Sequence, residues 1–261
     1  MSSRKMRLVR PWSVILGLVV ALVMVGCGAS KEEVRTAARA EEYAALQTDH
    51  AALGDLRQEL AAVEAAAQAE ESEETDGEEG AATGGQVADL TPRVHKAADE
   101  FSTRLVNFIN EHAGFEGEEP HLEVAGAITL KSSEDIVMAQ EYIVKGGDYG
   151  KAIEILASAK IVDPDNAELQ AALSSAESMR YMDEERFSQV EKGMSQDEVR
   201  SLLGQVKHQN VRKYDDQGIT AWFYPKDEGA AAAVFYRERG GELKVYDLDF
   251  EAVKTAAERA G

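Results

Sequence analysis

The sequence predicts an α+β protein in which helices come first and a small antiparallel sheet comes last. Three observations predict it. Residues 31–71 are rich in Ala, Glu, Leu and Arg, strong helix formers, with Gly54 the only helix breaker. Residues 132–180 carry apolar stripes spaced i, i+3, i+4, i+7, the signature of one helix face. Beyond residue 206 the period falls to two, in four strand-like runs separated by Asp- and Gly-rich turns.

Charge narrows function before any motif does. The 261 residues carry 48 Asp and Glu against 28 Lys and Arg, a formal net charge of −20. Such a surface repels nucleic-acid phosphates and anionic headgroups, because neutralising phosphate requires clustered Lys and Arg. Basic residues cluster only at Arg4, Lys5, Arg7 and Arg10, so no nucleic-acid partner is expected.

Those four cations precede an apolar run, "WSVILGLVVALVMV" from Trp12 to Val25, and then the only cysteine, Cys27. The run is short for a membrane span, which needs about 20 apolar residues, and small residues follow it as in cleaved leaders. A non-cleaved anchor is the alternative. With one cysteine no intramolecular disulfide can form. "MVGC" (Met24, Val25, Gly26, Cys27) resembles the lipobox of bacterial lipoproteins, with Met24 standing where leucine is usual. The resemblance implies cleavage before Cys27, acylation of that residue, and a membrane partner held through the lipid. Each buried acyl CH₂ contributes about 0.8 kcal/mol, so several chains on one residue anchor durably. Gly28, rather than Asp, after the cysteine implies the periplasm-facing leaflet of the outer membrane.

Leu46, Leu53 and Leu60 recur every seven residues, with Leu56 and Val63 at the alternate positions. The pattern fits either a short coiled-coil seam, with weak self-association through this helix, or a solvated single-helix spacer. "ESEETDGEEGAATGGQ" then mixes acids with Gly77, Gly80, Gly84 and Gly85, a composition that predicts a flexible linker over 70–88. It lacks the alternating acids and glycine of a calcium loop.

From Leu90 the helical pattern returns, with Val94, Phe101, Leu105 and Phe108 on one stripe, Pro92 near the predicted start and Gly114 past the end. His95, His112 and His121 form no HxxxH pair, so no metal is expected. A helix entered by Ser132, with Asp135 three residues on, carries Ile136, Ala139 and Ile143 and ends at Gly146-Gly147. A second carries Ala152, Ile155, Leu156 and Ala159 and is closed by Asp163-Pro164. A third carries Leu169, Ala172, Leu173 and Ala176. "GDYGKAIEILASAKIVDPDN" resembles a tetratricopeptide repeat: small Ala152 and Ala159 where helices cross, Leu156 between them, Pro164 at the turn. Gln140 departs from the small residue usual in the first helix. "GGDYGK" lacks the spacing of a phosphate loop, and "DPDN" reads as a turn.

In "RFSQVEKGMSQDEVRSLLG", Phe187 and Val190 lie one turn apart. Ser195 and Glu198 form a capping box, and Met194 and Val199 a hydrophobic staple. The runs "KHQNVRKY", "ITAWFY", "AAAAVFY" and "ELKVYDLDF" follow as a meander. In the second run Ile219, Ala221 and Phe223 face one way and Thr220, Trp222 and Tyr224 the other. If Phe223's side packs on the helices, Trp222 and Tyr224 are candidates for a partner-binding patch. The alternative is that "EAVKTAAERAG" or the repeat covers them, since exposed aromatic patches are uncommon.

The "GMSQDEV…LLG" signature followed by "AWFY" resembles the small SmpA/OmlA (BamE-like) lipoprotein domain over about residues 183–250. Gln205-Val206 stands where that family often has proline. The resemblance implies a periplasm-facing lipoprotein that supports outer-membrane protein assembly through protein contacts, without catalysis. The predicted organisation is a leader (1–26), a lipidated N-terminus and helical or coiled-coil spacer (27–69), a linker (70–88), a helical segment (89–130), tetratricopeptide-like helices (131–182), the BamE-like domain (183–250) and a C-terminal helix (251–261).

The expected function is a tethered, non-enzymatic interaction scaffold with no cofactor, metal or catalytic set. Its expected partners are envelope proteins, the outer-membrane β-barrel assembly machinery among them. The alternative is a small-ligand binder or enzyme regulator built on the α+β domain. Against an enzyme stand the missing nucleophile–base–orienter set and the lack of clustered His and Cys.

Overall fold

The computed structural model describes residues 30–72, 78–114, 119–227 and 229–254. The leader, Cys27 and residues 255–261 of the expected C-terminal helix lie outside the described residues. The α+β class holds: among the described residues, helices come first, up to residue 203, and a four-stranded antiparallel sheet follows. No helix among the described residues is long and apolar enough to cross a membrane.

Helix α1 (Lys31–Ser72) opens with a reciprocal cap, Glu33 N–H donating to Ser30 Oγ and Ser30 N–H donating to Glu33 at 2.7 Å. Its Leu46 and Leu53 pack against Phe101, Leu105 and Phe108 of α2 (Glu78–His112), and Leu60 packs against Leu90 and Val94. Rising numbers on α1 meet falling numbers on α2, so the two run antiparallel. The heptad stripe is therefore filled from within the chain. Self-association through it requires the α1–α2 pair to open.

Two expectations are corrected here. Residues 78–88, predicted to be flexible linker, form the first turns of α2, and Pro92 lies inside that helix. Each glycine costs a helix up to about 1 kcal/mol, but Val87 and Leu90 reach Leu60 and Val63 of α1, and this packing offsets the cost. The helix predicted to start at Ser132 starts ten residues earlier, as α3 (Leu122–Gly146). Val124 and Ala127 extend its apolar stripe into the α1–α2 core, while Ser132 is buried mid-helix and donates to Asp163 at 2.7 Å.

Helices α3, α4 (Tyr149–Val162) and α5 (Ala167–Arg180) share a second core of Ile136, Ala139, Ala152, Leu156, Leu169 and Leu173. Asp148 caps α4 through the Lys151 N–H, and Asn166 caps α5 through the Leu169 N–H. Two short helices follow, α6 (Glu184–Phe187) and α7 (Gln196–Leu203). The sheet is a meander of β1 (Val211–Tyr214), β2 (Ile219–Pro225), β3 (Ala231–Arg239) and β4 (Glu242–Val253), in that spatial order. Residues 251–253, expected to begin a helix, are the end of β4, where Val253 pairs with Ala231.

Candidate functional site

The sequence alternation in β2 holds, and of the two expectations for the Trp222 and Tyr224 face the covered one applies, with α6 and α7 packed on it. Trp222 and Tyr224 pack with Phe187, Val190, Val199, Leu203, Val234 and Tyr236 in the core beneath α6 and α7, each 4% exposed. They are structural residues rather than a partner-binding patch. The reason is area: α6 and α7 need a broad apolar floor, and a buried aromatic covers 150–250 Å². Trp222 also packs at a tilt against Tyr236, with ring centroids 4.7 Å apart, and Arg200 lies over its ring at 5.1 Å. Burial pushes the Tyr224 and Tyr236 phenols well above the ordinary tyrosine range.

Between the α3–α4 turn and the segment after α7 lies a cavity of about 230 Å³, lined by Tyr149, Met179, Leu203, Lys207, Phe223 and Tyr224. The Gln205 N–H donates to the Tyr149 hydroxyl at 3.1 Å, and the Tyr224 hydroxyl donates to the Gly204 carbonyl at 3.4 Å. Lys207 pairs with Asp148 at 2.8 Å and holds its carboxyl below the usual range; burial holds the Tyr149 phenol above its own. Gly147 adopts φ +62°, and a Cβ there would stand 2.6 Å from the Val206 and Lys207 backbone. Two backbones thus meet directly at the joint between the helical unit and the sheet domain. Its phenols stay protonated and its one ion pair is satisfied, which suits holding rather than proton transfer.

A larger concavity of about 660 Å³ opens between α2, α3 and α4. Val106 and Ile109 supply one wall, Ile128 and Met138 the floor, Ile155 and Val162 the other wall. Three of these are open to solvent: Val106 at 40%, Met138 at 43% and Val162 at 61%. On the rims Lys131 pairs with Asp135, and Lys151 with Glu154 at 3.1 Å, a bond that raises the Lys151 ammonium above its ordinary value. The buried Ser132 hydroxyl closes the bottom through Asp163, which also accepts from Asn166 at 2.8 Å. Of the walls, sequence reasoning singled out only Ile155. Met138, Val106 and Val162 lie off the stripes that fill the cores, and that offset is the signal they gave.

The histidines are scattered. His95 and His121 are exposed. His112 lies 3.1 Å from Glu42, and with Glu111 the three groups bring one ligand atom each within 4.8 Å of one another. Glu42 and Glu111 are exposed, and exposed acidic groups gather in this way without an ion. His50, missed in the sequence, stacks on Phe101 at 5.5 Å and lies 3.4 Å from the buried Glu134. Glu134 also receives a two-pronged bond from Arg57 at 2.7 and 2.8 Å, which ties α1 to α3. No family model, curated protein or solved structure matches the chain.

Proposed function

We propose that this chain is an envelope lipoprotein anchored through Cys27 at the outer membrane. In this reading it is a non-enzymatic scaffold, with α3–α5 as a tetratricopeptide-like unit and a BamE-like C-terminal domain. The observation that carries the proposal is the α2–α3–α4 groove. Its volume and apolar walls suit a short amphipathic polypeptide segment, whose side chains would cover Val106, Met138 and Val162. Basic flanks on that segment complement a chain of net charge −20 and speed the encounter. Components of outer-membrane protein assembly are the partners proposed.

The test has two parts. Mass spectrometry of the mature N-terminus is expected to find an acylated Cys27; a free thiol removes the anchor from the proposal. A photocrosslinking residue at Met138, in the full chain in its membrane, is expected to capture β-barrel assembly components. Val162→Asp, at a groove position 61% exposed, should abolish that capture with the melting temperature unchanged. Equal capture from a crosslinker on the far side of α5, at Glu177, would remove the groove from the proposal.

A further inference from the structure

We infer that Met138 is a redox modification site, and that its oxidation to the sulfoxide by a peroxide closes the α2–α3–α4 groove to its polypeptide. This rests on the groove being a polypeptide site, as proposed above, and adds how that site is regulated.

Four of the chain's seven methionines are among the described residues, and their surroundings differ. Met182 is 5% exposed, in the core with Phe187 and Trp222. Met179 is half-buried, and its sulfur accepts a bond from the Arg186 guanidinium at 2.7 Å. Met194 is half-buried against the C-terminal core, and its sulfur accepts from the Glu191 N–H at 3.3 Å. Met138, on α3, is 43% exposed, and its sulfur meets no donor among the described residues.

Those differences set the order of oxidation. The thioether lone pair attacks one peroxide oxygen and the O–O bond breaks. The departing hydroxide takes the proton from the new S–OH group. Sulfur thereby gives up two electrons and gains one oxygen, and one water is released. The step needs an open approach and a free lone pair. A donor bound to the sulfur withdraws that pair, and burial shuts the approach. Among the described methionines Met138 alone offers both.

The product acts on the bound state and not on the fold. In the open groove the sulfoxide oxygen faces water. Under an apolar segment it is cut off from water, and the groove has little to offer it. Val106, Ile128, Ile155 and Val162 carry no side-chain donor. The rim ammoniums are taken, Lys131 by Asp135 and Lys151 by Glu154. Ser132 and Ser158 already donate, to Asp163 and to the Glu154 carbonyl. Asn110 stands near the start of α3, about 15 Å of helix away from Met138. An acceptor stranded in this way weakens binding at least about tenfold. Reduction by a thiol-dependent reductase returns the thioether, with water and a disulfide as products, so the change is reversible. Outside the cytosol, where thiol reductants are scarce, the oxidised form persists.

The test uses the full chain in detergent-permeabilised membranes, with the photocrosslinking residue moved to Val106 on the groove wall. Hydrogen peroxide is added before illumination. Mass spectrometry of tryptic peptides is expected to find Met138 mostly oxidised while Met179, Met182 and Met194 stay below about a tenth. Capture should fall about tenfold, with the melting temperature unchanged, and return after treatment with both sulfoxide reductases and dithiothreitol. In Met138→Leu, whatever its starting capture, peroxide should make no difference. Met138→Gln should lower capture without any peroxide. Oxidation of Met179 or Met194 as fast as Met138 overturns the inference. So does a peroxide-induced loss that persists in Met138→Leu, which places the sensitive group on the partner. Fully oxidised Met138 with undiminished capture overturns the regulation and leaves the groove reading standing. Untreated wild type that captures nothing removes the groove reading, and the regulation with it.

Discussion

The α1–α2 pair and the C-terminal domain bury comparable side chains in different ways. In the pair, Leu60 meets only Leu90 and Val94 of α2 with Val87 beside them, whereas Leu46 and Leu53 are also closed in by Val124 and Ala127 of α3; exposed ion pairs such as Arg104–Asp49 lie alongside. In the C-terminal domain Trp222 and Tyr236 are enclosed by the sheet below and by α6 and α7 above. A side chain packed from one side leaves neighbours free to close any gap. One packed from every side does not, so the same truncation costs more. The lesson is that helix length is no guide to stability here: the longest helix, α1 with its 42 residues, belongs to the element expected to open first.

Unfolding measurements can break that comparison. Trp222→Ala should cost the most, about 3–5 kcal/mol in chemical denaturation, because nothing nearby can fill the space between α7 and the sheet. Leu60→Ala, 8% exposed near the end of the seam, should cost about 2 kcal/mol. Equal losses at the two positions would remove the contrast. At the joint, Gly147→Ala forces a left-handed backbone and a 2.6 Å contact with Val206, so about 2 kcal/mol is expected, with a faster unfolding rate. Ser195→Ala removes one half of a reciprocal cap and should cost about 1 kcal/mol, with Ser195→Asp nearly neutral.

The smallest effect sharpens the picture through pH. Lys207 lowers the Asp148 carboxyl below its ordinary 3.8, so the pair's contribution is present above that pH and is lost as acid drives the pH down through the folded value. Both side chains are about one-third exposed, so the contribution stays under about 1 kcal/mol. Asp148→Asn keeps the α4 cap but removes the charge. Its stability should fall less steeply than wild type below about pH 4, and an unchanged acid limb would place the titration elsewhere.

Much of the local structure was legible because it depends on near neighbours. Ser195 and Glu198 exchange their two bonds at 2.7 and 3.3 Å as the spacing predicts, and Val199 and Met194 pack into the same core. The turns at Gly147 and Asp163-Pro164 fall where composition puts them. The misses share one cause. Residues 78–88 and 122–131 are weak helix formers or carry weak signals alone, and become helical because α1 offers them a surface. Glu134 reads as one acid among many until Arg57 and His50, 77 and 84 residues upstream, arrive beside it.

The sequence by itself determined most of the element types, the Ser195–Glu198 cap and the alternation along β2, since each follows from residues within about one turn or two strand positions of one another. Only the tertiary structure decided which side of β2 lies inside, that the leucine file is spent on α2, and that Val106, Met138 and Val162 converge on one groove. Those outcomes turn on competition for apolar area between segments far apart in the chain. A periodic pattern can say that a face is apolar, but not which of several apolar faces will claim it.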